Sequence, residues 1–325
     1  MPDLDTFEFA EVDTPAPADG EVQVRNLFMA VDPAMRGRMS EAKSYVPPFE
    51  LDKPLEGPAI GEVTASRSAD FAPGDLVFSR LGWRELFNAP AAELKKRDRD
   101  RLPPQAYLGF AGSPGLTAYT GLLRIAGLKG GETVFISAAS GGVGSVACQI
   151  AKLKGCRVVG SAGGARKAAF LREELGLDAV IDYKAEPNLT KALAAAAPEG
   201  IDIYFDNVGG DHLQAALAIA KPFARFALCG MISAYNSVEP PTAPRNLVLA
   251  VTKSLRLEGF IVLNHLDLEP QFLKEVTAWN AQGLLKQAET VLDGLDRAPE
   301  AFLGLFRGDN LGRMLVRLGD EGRAS

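Results

Sequence analysis

Apolar positions in the first hundred residues come in short runs, Val22–Val24, Gly61–Ala65 and Leu76–Ser79, separated by proline and glycine. That is the pattern of short strands joined by turns. In FAPGDLVF at 71–78, Pro73-Gly74-Asp75 stands between apolar segments, as a tight turn entering a strand does, so a β-rich, barrel-like region is expected. From Leu116 the texture changes. Apolar strand candidates at Val134–Ser137, Arg157–Ser161, Ala179–Ile181, Ile203–Asp206, Arg225–Cys229 and Leu257–Val262 alternate with helical spacing at Val143–Leu153, Arg166–Leu175, Leu189–Ala197 and His212–Ala220. This rhythm predicts an α/β fold with a Rossmann-type doubly wound parallel sheet. After a helix near Pro270–Gly283, strand-like runs at Glu289–Leu292 and Met314–Arg317 flank a short helix at Ala298–Leu305 and read as a return to the first domain. The run KKRDRDR at Lys95–Arg101 mixes signs ahead of Pro103-Pro104 and is expected to be a solvated surface loop.

The segment from Val134 to Lys167 spells strand, glycine turn, helix and second strand in order. Ala138, Gly141 and Gly144 form A-x-x-G-x-x-G, which lacks the first glycine of the dinucleotide fingerprint but keeps those that allow close backbone approach and helix packing. A helix that starts there offers its amides and positive dipole end to a pyrophosphate. An ordinary βα turn of small residues is the structural alternative. At the end of the second strand, where an acidic residue normally receives the ribose 2′-hydroxyl, the chain reads SAGGARK. Arg166 and Lys167 there suit a 2′-phosphate, so NADP(H) is expected over NAD(H).

Composition changes this picture little. At 325 residues two domains are the starting expectation, and 47% apolar with 23% charged residues is the balance of an ordinary globular chain. A net charge of −6 disfavours a nucleic-acid or anionic-membrane partner and points to a small molecule. No apolar run approaches the roughly 20 residues of a membrane helix, and the acidic start has no signal-peptide architecture, so a cytoplasmic protein is expected. Cys148, Cys156 and Cys229, with only His212 and His265 beside them, give neither a disulfide framework nor a zinc pattern.

The motifs VDPAMRGRM, LTAYTGLL, AASGGVGSVACQIAKLKGC, YFDNVGG, CGMISAYN, GFIV and GDNLGRMLVRL span nearly the whole chain. Together they resemble the zinc-independent medium-chain dehydrogenase/reductases. The resemblance is to the group of leukotriene B4 12-hydroxydehydrogenase, prostaglandin reductase, alkenal double-bond reductase and curcumin reductase. It implies a GroES-like, β-barrel-type catalytic domain over residues 1–115, completed by residues 287–325, and a Rossmann NADP-binding domain over residues 116–286.

By motif, Gly141, Gly142, Val143 and Gly144 would cradle the pyrophosphate of NADPH, and Lys167 and Tyr183 would contact its 2′-phosphate. Asn207, Cys229, Gly230, Tyr235, Phe260, Ile261, Val262 and Asn310 would line the path from adenine to nicotinamide, which Thr117 would help position. Each has a purely structural reading as well: Tyr183 as a surface aromatic, Cys229 and Phe260 as core, Asn207 and Asn310 as turn formers, Thr117 as a helix start. The group's DPYMRG motif has Ala34 here in place of tyrosine, which implies a roomier substrate end. The chain also begins close to where relatives have formed an opening strand.

The implied reaction is NADPH-dependent reduction of the carbon–carbon double bond of an α,β-unsaturated ketone or aldehyde, by hydride addition at the β-carbon and protonation of the enolate, without metal. Tyr235 and Tyr45 are the candidate hydroxyls for the enolate oxygen or the proton, although an aromatic like Tyr45 also serves simply to pack a loop. A quinone reductase shares fold and cofactor, and a non-catalytic NADPH-binding protein is the alternative of another class. A homodimer formed through the strand around Leu257–Val262 is a further expectation from the resemblance.

Overall fold

The computed structural model describes residues 1–41, 44–237 and 242–319. Two compact units divide the chain, one made of Met1–Gly112 with Glu289–Ser325 and the other of Ser113–Ala288. In the first, residues 1–20 hold a 3-10 turn at Leu4–Thr6 and no strand. Strand β1 (Glu21–Ala30) follows, then the short helix α1 (Met35–Arg38) and strands β2 (Ala59–Ser66), β3 (Leu76–Ser79), β4 (Leu86–Pro90) and β5 (Lys95–Arg97).

The second unit opens with α2 (Ser113–Tyr119), which continues into a π-helical turn at Thr120–Ile125. It then runs β6 (Thr133–Ile136), α3 (Gly142–Leu153), β7 (Arg157–Ala162), α4 (Ala165–Ala169), β8 (Ala179–Asp182), α5 (Leu189–Ala196), β9 (Ile201–Asp206), α6 (Gly210–Ile219), β10 (Ala220–Leu228), α7 (Leu249–Thr252), β11 (Arg256–Gly259) and α8 (Glu269–Ala281). The chain then completes the first unit with β12 (Glu289–Asp293), α9 (Ala298–Arg307) and β13 (Arg313–Arg317).

The first unit is organised around β1. One edge of it pairs with β2, while the other pairs with β4 over Glu21–Arg25 and with β13 over Phe28–Ala30. The change of partner falls at buried Asn26, whose Nδ2 donates to the carbonyls of Leu81 and Arg84 at 2.9 and 2.8 Å. Two register shifts against β2 flank that point, and such bulges bend a strand enough to serve several neighbours. The ladder runs β12-β13-β1-β2-β3-β5, with β4 on β1. Its end strands do not pair, so the barrel-like expectation is met by an open, mainly antiparallel sheet without closure among the described residues.

The strand β5 corrects the reading of Lys95–Arg101 as a loop. Its first three residues pair with β3, Lys96 meets Asp75 at 2.7 Å, and the Arg97 guanidinium lies over the rings of Phe78 and Tyr107. Lysines on an edge strand discourage pairing with another chain, so charge there does not argue against a strand. The core on one side of this sheet gathers sequence-distant aromatics. Phe7 stacks on Trp83 at 5.6 Å, and both meet Phe302 of α9 edge-on at 6.3 and 6.5 Å.

Among the described residues of the second unit there are six strands, all parallel, in the order β11-β10-β9-β6-β7-β8. This is the Rossmann order, with the winding direction reversing between β6 and β9. Strand β6 is buried throughout, which explains its uninterrupted apolar run. Three boundaries differ from the periodicity. The helix expected over Arg166–Leu175 becomes α4 followed by a π turn at Phe170–Glu174. Strand β10 begins at Ala220, earlier than expected, because α6 stops at Ile219. The strand expected over Leu257–Val262 ends at Gly259, and a 3-10 helix occupies Val262–Leu268. Phe260 turns its ring into the interior there, against Phe205, in space left open by Gly121.

Candidate active site

In an open parallel sheet, the loops leaving the carboxyl ends of the strands on either side of the reversal part to opposite faces and leave a crevice. Here those loops follow β6 and β9. The β6 loop is the glycine turn. Ala138 adopts φ 46° in it, a left-handed conformation that costs a non-glycine residue roughly 1–2 kcal/mol. This is the position where the fingerprint's missing first glycine would stand without strain. The turn is held by Ala139 N–H donating to the Ser161 carbonyl of β7 at 2.9 Å and Gly141 N–H donating to the Ala138 carbonyl at 3.0 Å.

Gly144 lies against the same turn, and a Cβ built on it would stand 2.2 Å from the Ala138 carbonyl oxygen. Only glycine therefore lets α3 begin this close to the strand end. The first-turn amides of an α-helix have no intrahelical acceptors, so Gly142, Val143 and Gly144 form the kind of cradle that fits a pyrophosphate.

The far end of the cradle is built by β7 and β8. A Cβ on Gly163 would meet the Tyr183 hydroxyl at 2.7 Å, so this glycine is what allows the tyrosine to lie across the turn ahead of Arg166 and Lys167. Arg166 is exposed and Lys167 half-buried. A carboxylate that the motif reading passed over sits beside them: Asp182 Oδ1 accepts from the amides of Gly164 at 2.8 Å and Lys184 at 3.1 Å. It is engaged in tying β8 to the turn. The Tyr183 ring also meets His212 edge-on at 5.1 Å, while the His212 ring lies nearly parallel to Phe135 at 6.5 Å.

Asn207 follows β9 and donates from Nδ2 to the Ser137 carbonyl at 2.7 Å, joining the two crevice loops directly. Cys229 and Gly230 follow β10, with both amides donating to the Asp206 carbonyl. Burial pushes the Cys229 thiol up to about 12, with nearby Asp206 adding to the shift, so the thiol is protonated at neutral pH. Tyr235 closes the 3-10 turn Ile232–Ala234 and is partly exposed, and its hydroxyl lies 3.1 Å from where a Cβ on Gly230 would be. Phe260 is buried, and Ile261 and Val262 are half-buried at the turn beyond β11. Thr117 is in the middle of α2 and not at its start, its Oγ1 donating to the Ser113 carbonyl at 2.7 Å.

Tyr45 and Asn310 belong to the other unit. Tyr45 is 60% exposed. Asn310 donates to the Gly312 carbonyl at 2.8 Å, just before β13. Ala34 is exposed at the head of α1, in the loop whose Asp32 pairs with buried Arg313 of β13.

His212 is buried, and among the described residues its Nε2 has no hydrogen-bond partner. Desolvation pulls its pKa from 6.5 down to about 4, with Asp211 opposing weakly. The fold thus favours the neutral ring. The stability this ring contributes is complete above pH 6.5 and is lost as pH falls toward 4. Between pH 7 and pH 5 the protein should lose about 2 kcal/mol relative to a His212→Phe variant. Urea unfolding of both proteins at the two pH values measures this, and parallel losses would contradict it.

Comparison with known proteins agrees with this architecture. The family described as N-terminal domain of oxidoreductase matches residues 1–96, and that described as zinc-binding dehydrogenase matches residues 142–278. Among the described residues no group of three or more His, Cys, Asp or Glu is placed to hold a metal ion, so the side chains do not fit the zinc in the second description. The NADPH-dependent curcumin reductase of Escherichia coli is 39% identical, with 98% of this chain and 93% of that protein covered. The NADP(+)-dependent 2-alkenal reductase of Nicotiana tabacum is 42% identical, covering 93% and 88%. Prostaglandin reductase 1 of Rattus norvegicus is 40% identical, covering 98% and 95%. The crystal structure of CurA from Vibrio vulnificus in complex with NADPH superposes with a TM-score of 0.93 at 39% identity, covering 98% and 96%. With two family matches in chain order, relatives near 40% identity over almost its full length and a Rossmann sheet in the expected order, the chain belongs to the medium-chain dehydrogenase/reductase family, in the group that holds the prostaglandin, alkenal and curcumin reductases.

Proposed function

We propose that this chain is an NADPH-dependent reductase of the carbon–carbon double bond of α,β-unsaturated ketones or aldehydes, with unit Ser113–Ala288 as its nucleotide-binding domain. The observation that carries the reading is the crevice end formed by Gly163, Tyr183, Arg166 and Lys167. The adjacent carboxylate Asp182 already accepts two backbone amides through Oδ1, and cations flank the turn where a 2′-phosphate would lie. The relatives named for NADPH and for alkenal or curcumin reduction support the same assignment.

When bound, NADPH supplies a hydride, which adds at the electrophilic β-carbon of the substrate and moves the double-bond electrons onto the carbonyl oxygen as an enolate. Protonation at the α-carbon completes the two-electron reduction. The protein's part is to hold donor and acceptor in line and to stabilise the developing negative charge. In this reading Gly141, Gly142, Val143 and Gly144 seat the pyrophosphate, and Lys167 and Tyr183 hold the 2′-phosphate. Asn207, Cys229, Gly230, Phe260, Ile261, Val262, Thr117 and Asn310 shape the remaining path. Tyr235 offers its hydroxyl to the enolate oxygen, and Tyr45 is the second candidate donor.

Side-by-side assays with a simple enone and a quinone test the activity, the enone being the better substrate on this reading. Replacing a positioned acid–base hydroxyl should lower enone turnover by about 10²-fold. Tyr235→Phe and Tyr45→Phe, assayed separately, identify which hydroxyl matters, and unchanged turnover in both removes tyrosine from the mechanism.

Lys167→Ala should weaken NADPH binding by about tenfold or more, the worth of a charge-assisted contact, while leaving NADH unaffected. Equal losses for the two nucleotides in a fluorescence titration would count against a 2′-phosphate contact.

We further propose a homodimer formed through β11. Among the described residues this strand pairs only with β10 in the sheet, and Leu247, Val248 and Val251, shortly before it in the chain, are exposed apolar residues, as is Phe223 within β10. Exposed apolar side chains together with an open strand edge are covered most simply by a second copy of the chain. Light scattering should give twice the chain mass, and Val251→Asp should reduce it to that of one chain; a monomeric wild type would refute the dimer.

A further inference from the structure

Asp206 has no role in the chemistry above, yet it is fully buried at the end of β9, on the crevice side of the winding reversal. Its Oδ1 accepts from the Tyr204 hydroxyl at 2.7 Å, from the Val208 and Gly209 amides at 2.9 and 2.8 Å, and from the Ser137 hydroxyl at 3.3 Å. Its main-chain carbonyl accepts the amides of Cys229 at 2.9 Å and Gly230 at 3.0 Å. Ser137 Oγ in turn accepts the Asn207 amide at 2.9 Å. One residue therefore fastens the loops leaving three strands: the glycine turn after β6, the Asn207–Gly209 loop after β9 and the Cys229–Gly230 segment after β10. The last is tied again to the β9 loop by Ser233, whose hydroxyl donates to the Val208 carbonyl at 2.6 Å.

We propose that Asp206 is the positioning residue of the nucleotide crevice, holding the three loops in the spacing that the cofactor requires and acting through its Oδ1 as their common acceptor. This rests on the NADPH-site reading. Among the described residues the remaining oxygen, Oδ2, is buried without a partner, so the side chain's contacts all run through Oδ1. Burial raises the Asp206 pKa, outweighing the backbone and side-chain donors that favour the ionised form. An amide has the same shape and keeps the acceptor, so asparagine should substitute for aspartate here, while alanine should not.

The test compares Asp206→Asn with Asp206→Ala by NADPH fluorescence titration and, without nucleotide, by hydrogen exchange at the Val208 and Gly209 amides. Asp206→Asn should hold the NADPH Kd within about threefold and keep both amides protected. Asp206→Ala should raise Kd at least about tenfold, the scale of one buried acceptor removed from its donors, and expose both amides, with KM for NADPH rising more than kcat falls.

A folded Asp206→Ala that binds NADPH like the wild type, or an Asp206→Asn that fails as badly as alanine, would overturn the proposal. If Asp206→Ala does not fold, Ser137→Ala removes the hydroxyl bridge between the β6 and β9 loops and should raise Kd several-fold; no change would likewise overturn it. Failure of the wild type to bind NADPH would sink the cofactor reading alone, because the exchange of the two amides reports on Asp206 in the free protein.

Discussion

The arrangement of the second unit depends on one pairing, that of β6 with β9, which brings together segments separated by β7, β8 and their helices. Val134, Phe135 and Ile136 lie beside Ile203, Tyr204 and Phe205 in parallel register, with Phe135 stacked on Tyr204 at 5.1 Å. Both strands are buried along their length but for the half-buried Asp202. Long-range parallel pairing must overcome the entropy of closing a long loop before it contributes, so the apolar stacking at this seam has to be extensive. Once it forms, the glycine turn and the Asn207 loop are brought side by side with no further choice of topology. The crevice is a consequence of where the winding reverses.

The periodicity along the chain made the strands of this sheet legible, because a strand buried on both faces reads as a continuous apolar run. Its ends were less legible, and for definite reasons. Phe260 continues the apolar run of β11 yet belongs to the interior, its place decided by the absence of a side chain at Gly121; nothing local records that. Lys95–Arg97 reads as solvated charge and is nonetheless paired, since an edge strand needs only backbone partners. In the candidate site the small-residue turn and the cations were visible as motif. Asp182 and Asp206 were visible only as letters at strand ends, since what distinguishes them is which backbone amides they meet after folding. For Asp206 the one available signal is a strand-terminal Asp followed by Asn, because such a carboxylate can accept the amides of the turn it starts, while Asp182, followed by Tyr183, has none.

The first unit makes a related point about the ends of the chain. Arg313 of β13 is buried and pairs with Asp32, in the loop between β1 and α1, with one N–H···O contact at 3.2 Å. Arg313 is the buried member and Asp32 the half-buried one, so removal of Asp32 is the costly change, because it leaves the buried guanidinium without its counter-charge. The pair fastens the segment that carries Ala34 to the returning strand, beside the turn in which Asn310 sits. The return of the last residues to the first unit is therefore specific: β13 fills the part of the β1 edge that β4 leaves unpaired, and Arg313 fixes it there.

The nucleotide preference proposed here turns on what a carboxylate is free to do more than on whether one is present. In sites that receive a ribose diol, the acidic residue at the strand end is unencumbered and accepts from both hydroxyls. Here the nearest such group, Asp182, belongs to β8, and its Oδ1 is taken by the amides of Gly164 and Lys184, so it shapes the turn from the side. Its charge is partly offset by those dipoles. The Tyr183 hydroxyl lies against the turn at Gly163, and exposed Arg166 and half-buried Lys167 follow that turn at the start of α4. Adding a second phosphate to the ribose converts this end from a place with a poor acceptor for hydroxyls into one with suitable donors for a dianion. A single change of Lys167 to a carboxylate would not reverse that preference by itself, because Asp182 would still be tied to the backbone and Tyr183 would still cover the turn.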